Sequence, residues 1–434
     1  MRAARLLGAV ALALSLFAGA ARADAPLTLE EAVRLSLANN ERAKKAPLRI
    51  EVAEGQLDRA RSAFLPSLQA QGTSNLHPLD RNSRVLAGGG TVSLSQPLLN
   101  LSALPLYAQA RHTLESERWG AAQDKRVLAF DTARAFLVVR TSQRLLDSAN
   151  QRLERARAAQ ANADARAKAA LTSVNDVTLA MVDTASAARE VANAEGNLAK
   201  AYVLLGFLIG RPALGALADS GMTMRAAEGG AFRAEDVVRL AEGRRPDVRA
   251  AEEKTLAARE GAKEPLYRLA PTLGLSGQVR LTIDPVAPDK AHDESAQLTL
   301  TWNLYDAGVR YADRRVRLAQ ADSQALDEKA LRRSIAADVG VALASLKAAR
   351  ESYRISGEGV EAARRHTSET EILYQQGLAR ALELVTANGR RYEAEVGRET
   401  ARLSMVQAYL DLRFAIGLEP LEDEPAAAKQ LVKP

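Results

Sequence analysis

Side chains that commonly carry out catalysis or bind metals are few in this chain and widely separated. None of the four histidines lies in a metal-binding spacing such as H-E-x-x-H; they are His77, His112, His292 and His366. The chain has no cysteine, so it contains no thiolate nucleophile and no disulfide. The glycine run 88–90 is predicted to lie in a surface loop, and it lacks the Lys-Ser/Thr that follows in a phosphate-binding loop. These patterns argue against an enzyme and predict neither a cofactor nor a metal site.

The charge distribution argues against nucleic-acid binding. The formal net charge is +6, but three of the basic residues, Arg2, Arg5 and Arg22, lie in the leading segment. The other charged residues are spread along helical stretches, and aromatic residues make up only 4% of the chain. A nucleic-acid interface needs clustered basic residues with interleaved aromatics. We therefore expect solvated helix surfaces and no nucleic-acid partner.

The first residues have the pattern of a signal peptide. Arg2 and Arg5 precede an almost unbroken run of apolar and small residues, Leu6–Phe17, and Ala21-Arg22-Ala23 is an A-x-A cleavage pattern. A membrane anchor is the alternative, but about 12 apolar residues are too few to span a bilayer. The sequence thus predicts an exported chain that starts at Asp24 and, without cysteine, carries no lipid anchor there.

The chain has an internal repeat of about 205 residues. Leu65-Pro66 recurs as Ala270-Pro271, and Leu208-Ile-Gly210 recurs as Ala415-Ile-Gly417. Such a long period indicates two copies of one structural unit. The expected segments are a signal peptide at 1–23, a first repeat at 24–210, a linker at 211–230, a second repeat at 231–417 and a C-terminal tail at 418–434.

Each repeat is predicted to contain a short helix, two strands and a long helical hairpin. Strong helix formers dominate 102–210 and 307–417. A continuous helix over 102–166 would be about 100 Å long at 1.5 Å per residue. The chain is predicted to reverse at Lys168–Ser173 and again at Tyr374–Gly377. Helical periodicity alone leaves a soluble coiled coil open as an alternative.

Four stretches alternate between apolar and polar residues, as strands with one apolar face do. The pattern covers 272–283, 297–302, 91–95 and, more faintly, 67–71. Strands of about ten residues with one apolar face suit an outer-membrane barrel, but four are too few to close one. Since an open sheet edge cannot exist in lipid, several chains would share one barrel, and three would give about twelve strands. Trp302 and Tyr305 near a strand end suit an interfacial aromatic belt.

The sequence resembles the TolC-type outer-membrane efflux proteins over nearly the whole mature chain. Its marks are Leu27-Thr-Leu-Glu-Glu-Ala-Val-Arg34, Asn39-Asn40, Leu65-Pro66, Gln96-Pro97-Leu98 and Tyr374-x-x-Gly377. The resemblance implies a homotrimer with a twelve-stranded β-barrel in the outer membrane of a Gram-negative bacterium and a periplasmic α-helical barrel below it. It also implies an exit duct of a tripartite efflux or type I secretion system. Its partners would be outer-membrane lipid, a periplasmic adaptor protein and an inner-membrane transporter.

The resemblance also assigns roles at the periplasmic entrance. The first acidic position of the family's entrance ring falls on Glu383, its second falls on Thr386, and Asp176 is the equivalent of Glu383 in the first repeat. We therefore expect a ring of Glu383 and Asp176 that attracts cations, although both could be ordinary exposed helix residues. Tyr374 and Arg380 are candidates for bonds that hold the entrance shut, with Arg380 one position after the family's arginine.

The hairpin tips would dock the adaptor. The residues expected there are Leu171, Thr172, Ser173, Gly377 and Leu378. The alternative to a channel is a periplasmic adaptor or another soluble coiled-coil scaffold. Adaptors usually carry one helical hairpin, whereas this chain is predicted to have two.

Overall fold

A computed structural model of the chain describes residues 26–80, 83–213, 215, 217–218, 225, 227–229, 234–283 and 292–421. The expected signal peptide, much of the expected linker and the tail beyond residue 421 lie outside the described residues.

The first half of the chain builds two helices, two strands and two long helices. Their bounds are α1 Leu29–Asn39, α2 Glu41–Ser62, β1 Ser67–Asp80, β2 Ser83–Leu99, α3 Ala103–Lys168 and α4 Val174–Ile209. Side chains at the expected capping positions start the short helices. The Thr28 hydroxyl accepts the Glu31 N–H at 3.1 Å, and the Asn40 side chain accepts the Arg42 N–H at 2.9 Å.

The second half repeats this order with one extra helical turn. Its elements are α5 Ala234–Arg244, α6 Pro246–Gly261, α7 Glu264–Tyr267, β3 Thr272–Ile283, β4 His292–Thr301, α8 Val309–Gln375 and α9 Ala381–Ile416. Both predicted reversals are confirmed, since α3 and α8 end where the sequence indicated. The prediction of one short helix before each strand pair was wrong. Two helices precede the strands in the first half and three in the second, and Asn40 and Pro246 start the second helix of each half.

The strands form one antiparallel sheet in the order β1-β2-β3-β4, with β1 and β4 at its edges. The register places apolar residues opposite apolar residues: Leu68 faces Leu94, Val92 faces Val279, and Leu275 faces Leu298. Serines, threonines and glutamines share the other face, as in the pair Ser95 and Ser276. Near the helices the sheet therefore has one apolar face and one polar face, whereas at the start of β4 Glu294 and His292 stand opposite Val279 and Leu281 on the apolar face.

β3 has the predicted bounds, β1, β2 and β4 are longer than the sequence pattern predicted, and the glycine run 88–90 does not lie in a loop. These glycines lie within β2 and pair with both β1 and β3. A Cβ added at Gly89 would lie 2.8 Å from the carbonyl oxygen of Leu281. Glycine here permits a close approach of two backbones, which sequence alone does not distinguish from a turn.

The long helices α3 and α8 have 66 and 67 residues, so each is about 100 Å long at 1.5 Å per residue. Their partners α4 and α9 have only 36 residues each. The shorter helices therefore cover only the half of α3 and α8 that is distant from the sheet. On the half near the sheet, α2 and α6 pack against α3, and α6 also packs against α8. Among the described residues, no helix is both long and apolar enough to cross a membrane.

The main hydrophobic core lies at the middle of α3 and α8. Phe130 and Phe136 of α3, Ile335 of α8, and Leu205 and Leu410 from the ends of the shorter helices are fully buried there. α1 and α5 also contribute buried residues to this cluster. The core thus holds α3 and α8 at their middle and α4 and α9 at their ends, and smaller contacts hold the rest of these helices.

Matching glycines end α4 and α9 beside this core. Gly210 and Gly417 have positive φ angles of 70° and 89°, which glycine adopts without strain. A Cβ at Gly210 would lie 2.8 Å from the Asn39 Cβ, and one at Gly417 would lie 3.0 Å from the Arg244 Cβ. The Asn40 amide donates to the Leu208 carbonyl oxygen at 3.0 Å. The sequence marks Asn39-Asn40 and Ile-Gly thus meet in space at the end of a long helix.

Candidate functional site

The two hairpin tips lie at the far end of α3 and α8 from the sheet. The first tip connects Lys168 to Val174, and the second connects Gln375 to Ala381. Each connection has only five residues, which brings two antiparallel helices together directly. The residues expected at the tips therefore lie at one end of the molecule, about 100 Å from the strands at 1.5 Å per helical residue.

The tips present apolar side chains to solvent. The exposed fractions of Leu171, Val174 and Leu378 are 70%, 78% and 73%. Large apolar side chains clustered at such exposure in one place commonly mark a protein-binding surface. Beside them Ser173 begins α4, and its hydroxyl accepts the Asp176 N–H at 3.3 Å. Thr172 donates a short hydrogen bond to the Asp176 carboxylate.

The two tips use the same backbone turn with different residues. Gly377 has a φ of 79°, and Ala170 at the matching position of the first tip has a φ of 55°. This left-handed conformation costs an alanine roughly 1 kcal/mol, whereas glycine adopts it freely. The first tip therefore holds a strained residue where the second does not.

Asp176 and Glu383 occupy the same position in their two helices, the third residue after the cap. A Glu383 carboxylate oxygen accepts the backbone N–H of Arg380 at 3.3 Å, which helps to start α9. The Asp176 carboxylate instead accepts the side-chain hydroxyl of Thr172, the residue before the cap of α4. No bond joins the two carboxylates among the described residues. Both acids thus bond to residues at the start of their own helices, and their charge lies at the tip end of the molecule.

A bond between the two hairpins involves Tyr374, one of the expected entrance residues. Arg166 near the end of α3 donates to the Tyr374 carbonyl oxygen at 2.7 Å. Its guanidinium carbon also lies 5.0 Å from the centre of the Tyr374 ring. Tyr374 is buried with Ala381 and Leu384. The expected entrance residue Arg380 is exposed, and the described residues offer its side chain no partner.

A charged layer lies two to four helical turns above the tips. In its first half, the nearly buried Arg152 of α3 forms ion pairs with Asp183 and Glu190 of α4; the distance to Asp183 is 3.1 Å. The Arg152 guanidinium also lies 5.2 Å from the Tyr392 ring of α9. Burial raises the pKa of the Asp183 carboxyl, and Arg152 only partly offsets this effect.

The second half of the charged layer surrounds Glu395 of α9. This buried carboxylate lies 3.1 Å from Arg391, 3.3 Å from Arg364 of α8 and 3.7 Å from Arg155 of α3. Burial, together with the nearby Arg391, lowers the pKa of Arg155. One carboxylate therefore holds three guanidinium groups from three different helices, and it links the two hairpins.

Neither the contact of Arg166 with Tyr374 nor the charged layer was predicted from the sequence. Arg152, Arg155 and Glu395 have the spacing of ordinary solvated residues on a long helix, so composition does not single them out. A helical projection of α3 that aligned Leu153 and Ala156 with the buried face would have placed Arg152 beside them.

The structure offers no metal centre within its described ranges, where no cluster of His, Asp and Glu could hold an ion. His112 of α3 lies 2.7 Å from Glu253 of α6, and this isolated pair links the two helices. His366 lies on α8, and His292 begins β4. Among the described histidines, the His112–Glu253 pair is thus a contact that assembles helices.

The chain is similar to known proteins both in sequence and in fold. The sequence model of the outer membrane efflux protein family matches residues 32–211 and 237–418. Among curated proteins, no sequence matches the chain.

Several solved structures share the fold. The CmeC outer membrane channel of Campylobacter jejuni superposes with a TM-score of 0.76 at 15% identity, over 93% of this chain and 88% of that one. The MtrE outer membrane channel of Neisseria gonorrhoeae, solved in its open state, superposes with a TM-score of 0.75 at 19% identity, over 90% of each chain. VceC of Vibrio cholerae superposes with a TM-score of 0.75 at 14% identity, over 90% of this chain and 96% of that one.

Proposed function

Since the chain belongs to the outer membrane efflux protein family, whose members are outer-membrane channels of tripartite systems and not enzymes, we propose that three copies form one channel. The expected family and its outer-membrane location are thereby confirmed. In the proposed trimer, the three sheets close into a twelve-stranded barrel, and the long helices continue as a tunnel across the periplasm.

The sheet carries this proposal. Its two faces differ in polarity, and both are exposed in a single chain: the exposed fractions of Leu68, Leu298 and Leu300 are 73%, 62% and 62%. β1 and β4 are edge strands whose outer backbone groups pair with no other described strand. In a bilayer these groups need partners, and four strands cannot supply them by closing on themselves. Three copies joined β4 to β1 would pair every edge.

Exposed apolar residues along the long helices support lateral contact between copies. On α4, Val203 and Phe207 have exposed fractions of 72% and 68%, and on α8 the fraction is 67% for Val341. A tunnel wall of twelve helices would cover these side chains, because each chain supplies four helices that reach the tips. The repeated order of elements and the two matched ranges, 32–211 and 237–418, support two tandem repeats as the unit of this wall.

In this channel the tips form the periplasmic entrance. Three copies of Glu383 and Asp176 would give a ring of negative charge that favours cations. The Arg166–Tyr374 bond would hold the second hairpin against the first, with Arg380 available to a neighbouring copy. The exposed side chains of Leu171 and Leu378, with Thr172, Ser173 and Gly377 beside them, would dock a periplasmic adaptor that leads to an inner-membrane transporter.

The proposal is tested by fractionating cells that express the protein and by recording from the purified protein in planar bilayers. A channel protein remains in the outer-membrane fraction and produces discrete conductance steps. The competing function, a periplasmic adaptor or coiled-coil scaffold, predicts release with the periplasm and no conductance. Recovery in the periplasm without conductance would therefore overturn the channel.

A further inference from the structure

Aromatic residues concentrate where the strands meet the helices. We call this region the collar and define it as residues 58–66, 100–107, 263–271 and 302–315. Six aromatic side chains lie in it: Phe64, Tyr107, Tyr267, Trp302, Tyr305 and Tyr311. The exposed fractions of Trp302, Tyr305 and Tyr311 are 57%, 83% and 61%. Exposed tryptophan and tyrosine at one level are typical of a membrane–water interface.

The collar is fixed to the end of the sheet. β1 and β3 begin there, β2 and β4 end there, and the helices α3 and α8 start a few residues later. The Trp302 indole N–H donates to the Leu269 carbonyl oxygen at 2.9 Å, which orients its ring. Phe64 and Tyr107 meet edge to face, with ring centres 6.3 Å apart. The level of the collar relative to the strands is therefore set by packing.

Most acidic groups of the collar are already neutralised. Glu264 lies 2.7 Å from Arg268, Asp306 lies 2.9 Å from Arg310, and Asp313 lies 2.9 Å from Arg268. Only Asp58 is left without such a partner among the described residues.

Four guanidinium groups of the collar remain in excess. Their side chains are exposed, and no carboxylate in the described part of the chain pairs with them; they are Arg59, Arg61, Arg314 and Arg315. The first two lie in the last turn of α2, and the other two lie in the first two turns of α8. The excess positive charge thus lies on the helix side of the exposed aromatic rings.

We propose that the collar binds the phosphate headgroups of anionic phospholipids in the periplasmic leaflet of the outer membrane. The aromatic rings place this level at the headgroups, and arginine pairs with phosphate through two parallel hydrogen bonds. This inference rests on the proposed channel, since the strands must lie in the membrane. The alternative occupant is an acidic surface of a neighbouring copy. Loss of the arginines would weaken lipid binding in the first case and separate the copies in the second.

The test is native mass spectrometry of the full-length mature protein in detergent, titrated with phosphatidylglycerol or with phosphatidylcholine. The variant is Arg314→Gln with Arg315→Gln. The matched control is Arg189→Gln with Arg365→Gln, which removes two exposed arginines near the opposite end of the long helices. Each basic residue at an anionic surface contributes roughly fivefold in affinity, so the variant should bind phosphatidylglycerol about tenfold or more weakly.

The expected result is a trimer that prefers phosphatidylglycerol, with the preference lost in the variant and kept in the control. A conducting trimer that binds both lipids equally would contradict the binding of anionic lipid by the collar and would leave the proposed channel unaffected. Dissociation of the variant into single chains would also overturn it, because the arginines would then join neighbouring copies. A wild-type protein that neither assembles nor conducts would overturn the channel itself.

Discussion

The guanidinium group of Arg166 donates to the main-chain carbonyl oxygen of Tyr374 at 2.7 Å and lies over the ring of the same residue. Arg166 belongs to α3 and Tyr374 to the last turn of α8, so this contact joins the two hairpins a few residues from both tips. The Tyr374 carbonyl oxygen also accepts the Gly377 N–H at 3.1 Å, and a carbonyl at a helix end carries a partial negative charge that an arginine stabilises. In a trimeric channel, a contact at this level would oppose separation of the hairpins at the entrance.

Removing this contact should open the entrance. We expect Arg166→Ala to raise the ratio of open to closed channels roughly tenfold, because a hydrogen bond to a charged group contributes about 1.5–3 kcal/mol. Single-channel recording measures this ratio. Arg157→Ala is the control, since among the described residues Arg157 pairs only with Glu154 on its own helix. Equal open probabilities in the two variants would show that Arg166 does not close the entrance.

Removing the tip charges should weaken cation selectivity. In Glu383→Gln with Asp176→Asn, the amide oxygens still accept from the Arg380 N–H and the Thr172 hydroxyl, so the charge changes and the caps remain. We expect the cation-to-anion permeability ratio, measured from reversal potentials in a salt gradient, to fall severalfold. The control is Glu54→Gln with Glu115→Gln, two exposed acids that both pair with Arg118 far from the tips. An unchanged ratio would refute the acidic ring.

Neutralising Glu395 should destabilise the charged layer. Glu395→Gln leaves Arg155, Arg364 and Arg391 without the buried carboxylate that they share. Breaking a buried ion pair costs about 3–5 kcal/mol, and we expect the lower end because these arginines keep some exposure. Denaturant unfolding of the solubilised protein measures the loss. Glu358→Gln, an exposed acid on α8 that pairs with Arg354, should change stability by less than about 1 kcal/mol. A similar small effect for both would contradict the role given to Glu395.

The start of α8 should depend on pH through Asp306. Partial burial alone would raise the pKa of this carboxyl, but bonds from Arg310 and the backbone N–H of Gly308 lower it below its ordinary value. A lowered pKa stabilises the fold above the ordinary aspartate pKa of about 3.9, and this stabilisation is lost as pH falls through the lowered value. Asp306→Asn should therefore lower the Tm at pH 7, and this difference should shrink progressively as the pH falls below about 3.9. A difference that did not shrink with falling pH would show that the charge is not responsible.

The long helices and the alternation of β3 were predictable because each has a strong period of its own. A predominance of strong helix formers identified 102–210 and 307–417, and Gly377, which suits the end of a helix, indicated one of the reversals. The lengths of β1 and β2 were not predictable, since the glycines of β2 resemble a turn in sequence. Their role depends on the neighbouring strand β3, whose backbone lies too close to Gly89 for a side chain.

The contacts between the hairpins could not be predicted from the sequence, for a related reason. Arg166 and Tyr374 are 208 residues apart, and Arg155 and Glu395 are 240 residues apart. Nothing local distinguishes an arginine that faces another helix from one that faces water. Asp176 and Glu383 were named from the family resemblance, and their charge ring depends on copies of the chain that one sequence does not arrange.

The central claim is that three chains share one barrel, and the mass of the intact assembly tests it most directly. Native mass spectrometry of the mature protein extracted from outer membranes should show an assembly of three chains, and this trimer should persist when the detergent is exchanged. The open edges at β1 and β4 predict this number, because three four-stranded sheets give a barrel of about twelve strands. A species of one or two chains would leave those edges unpaired in lipid and would contradict the account.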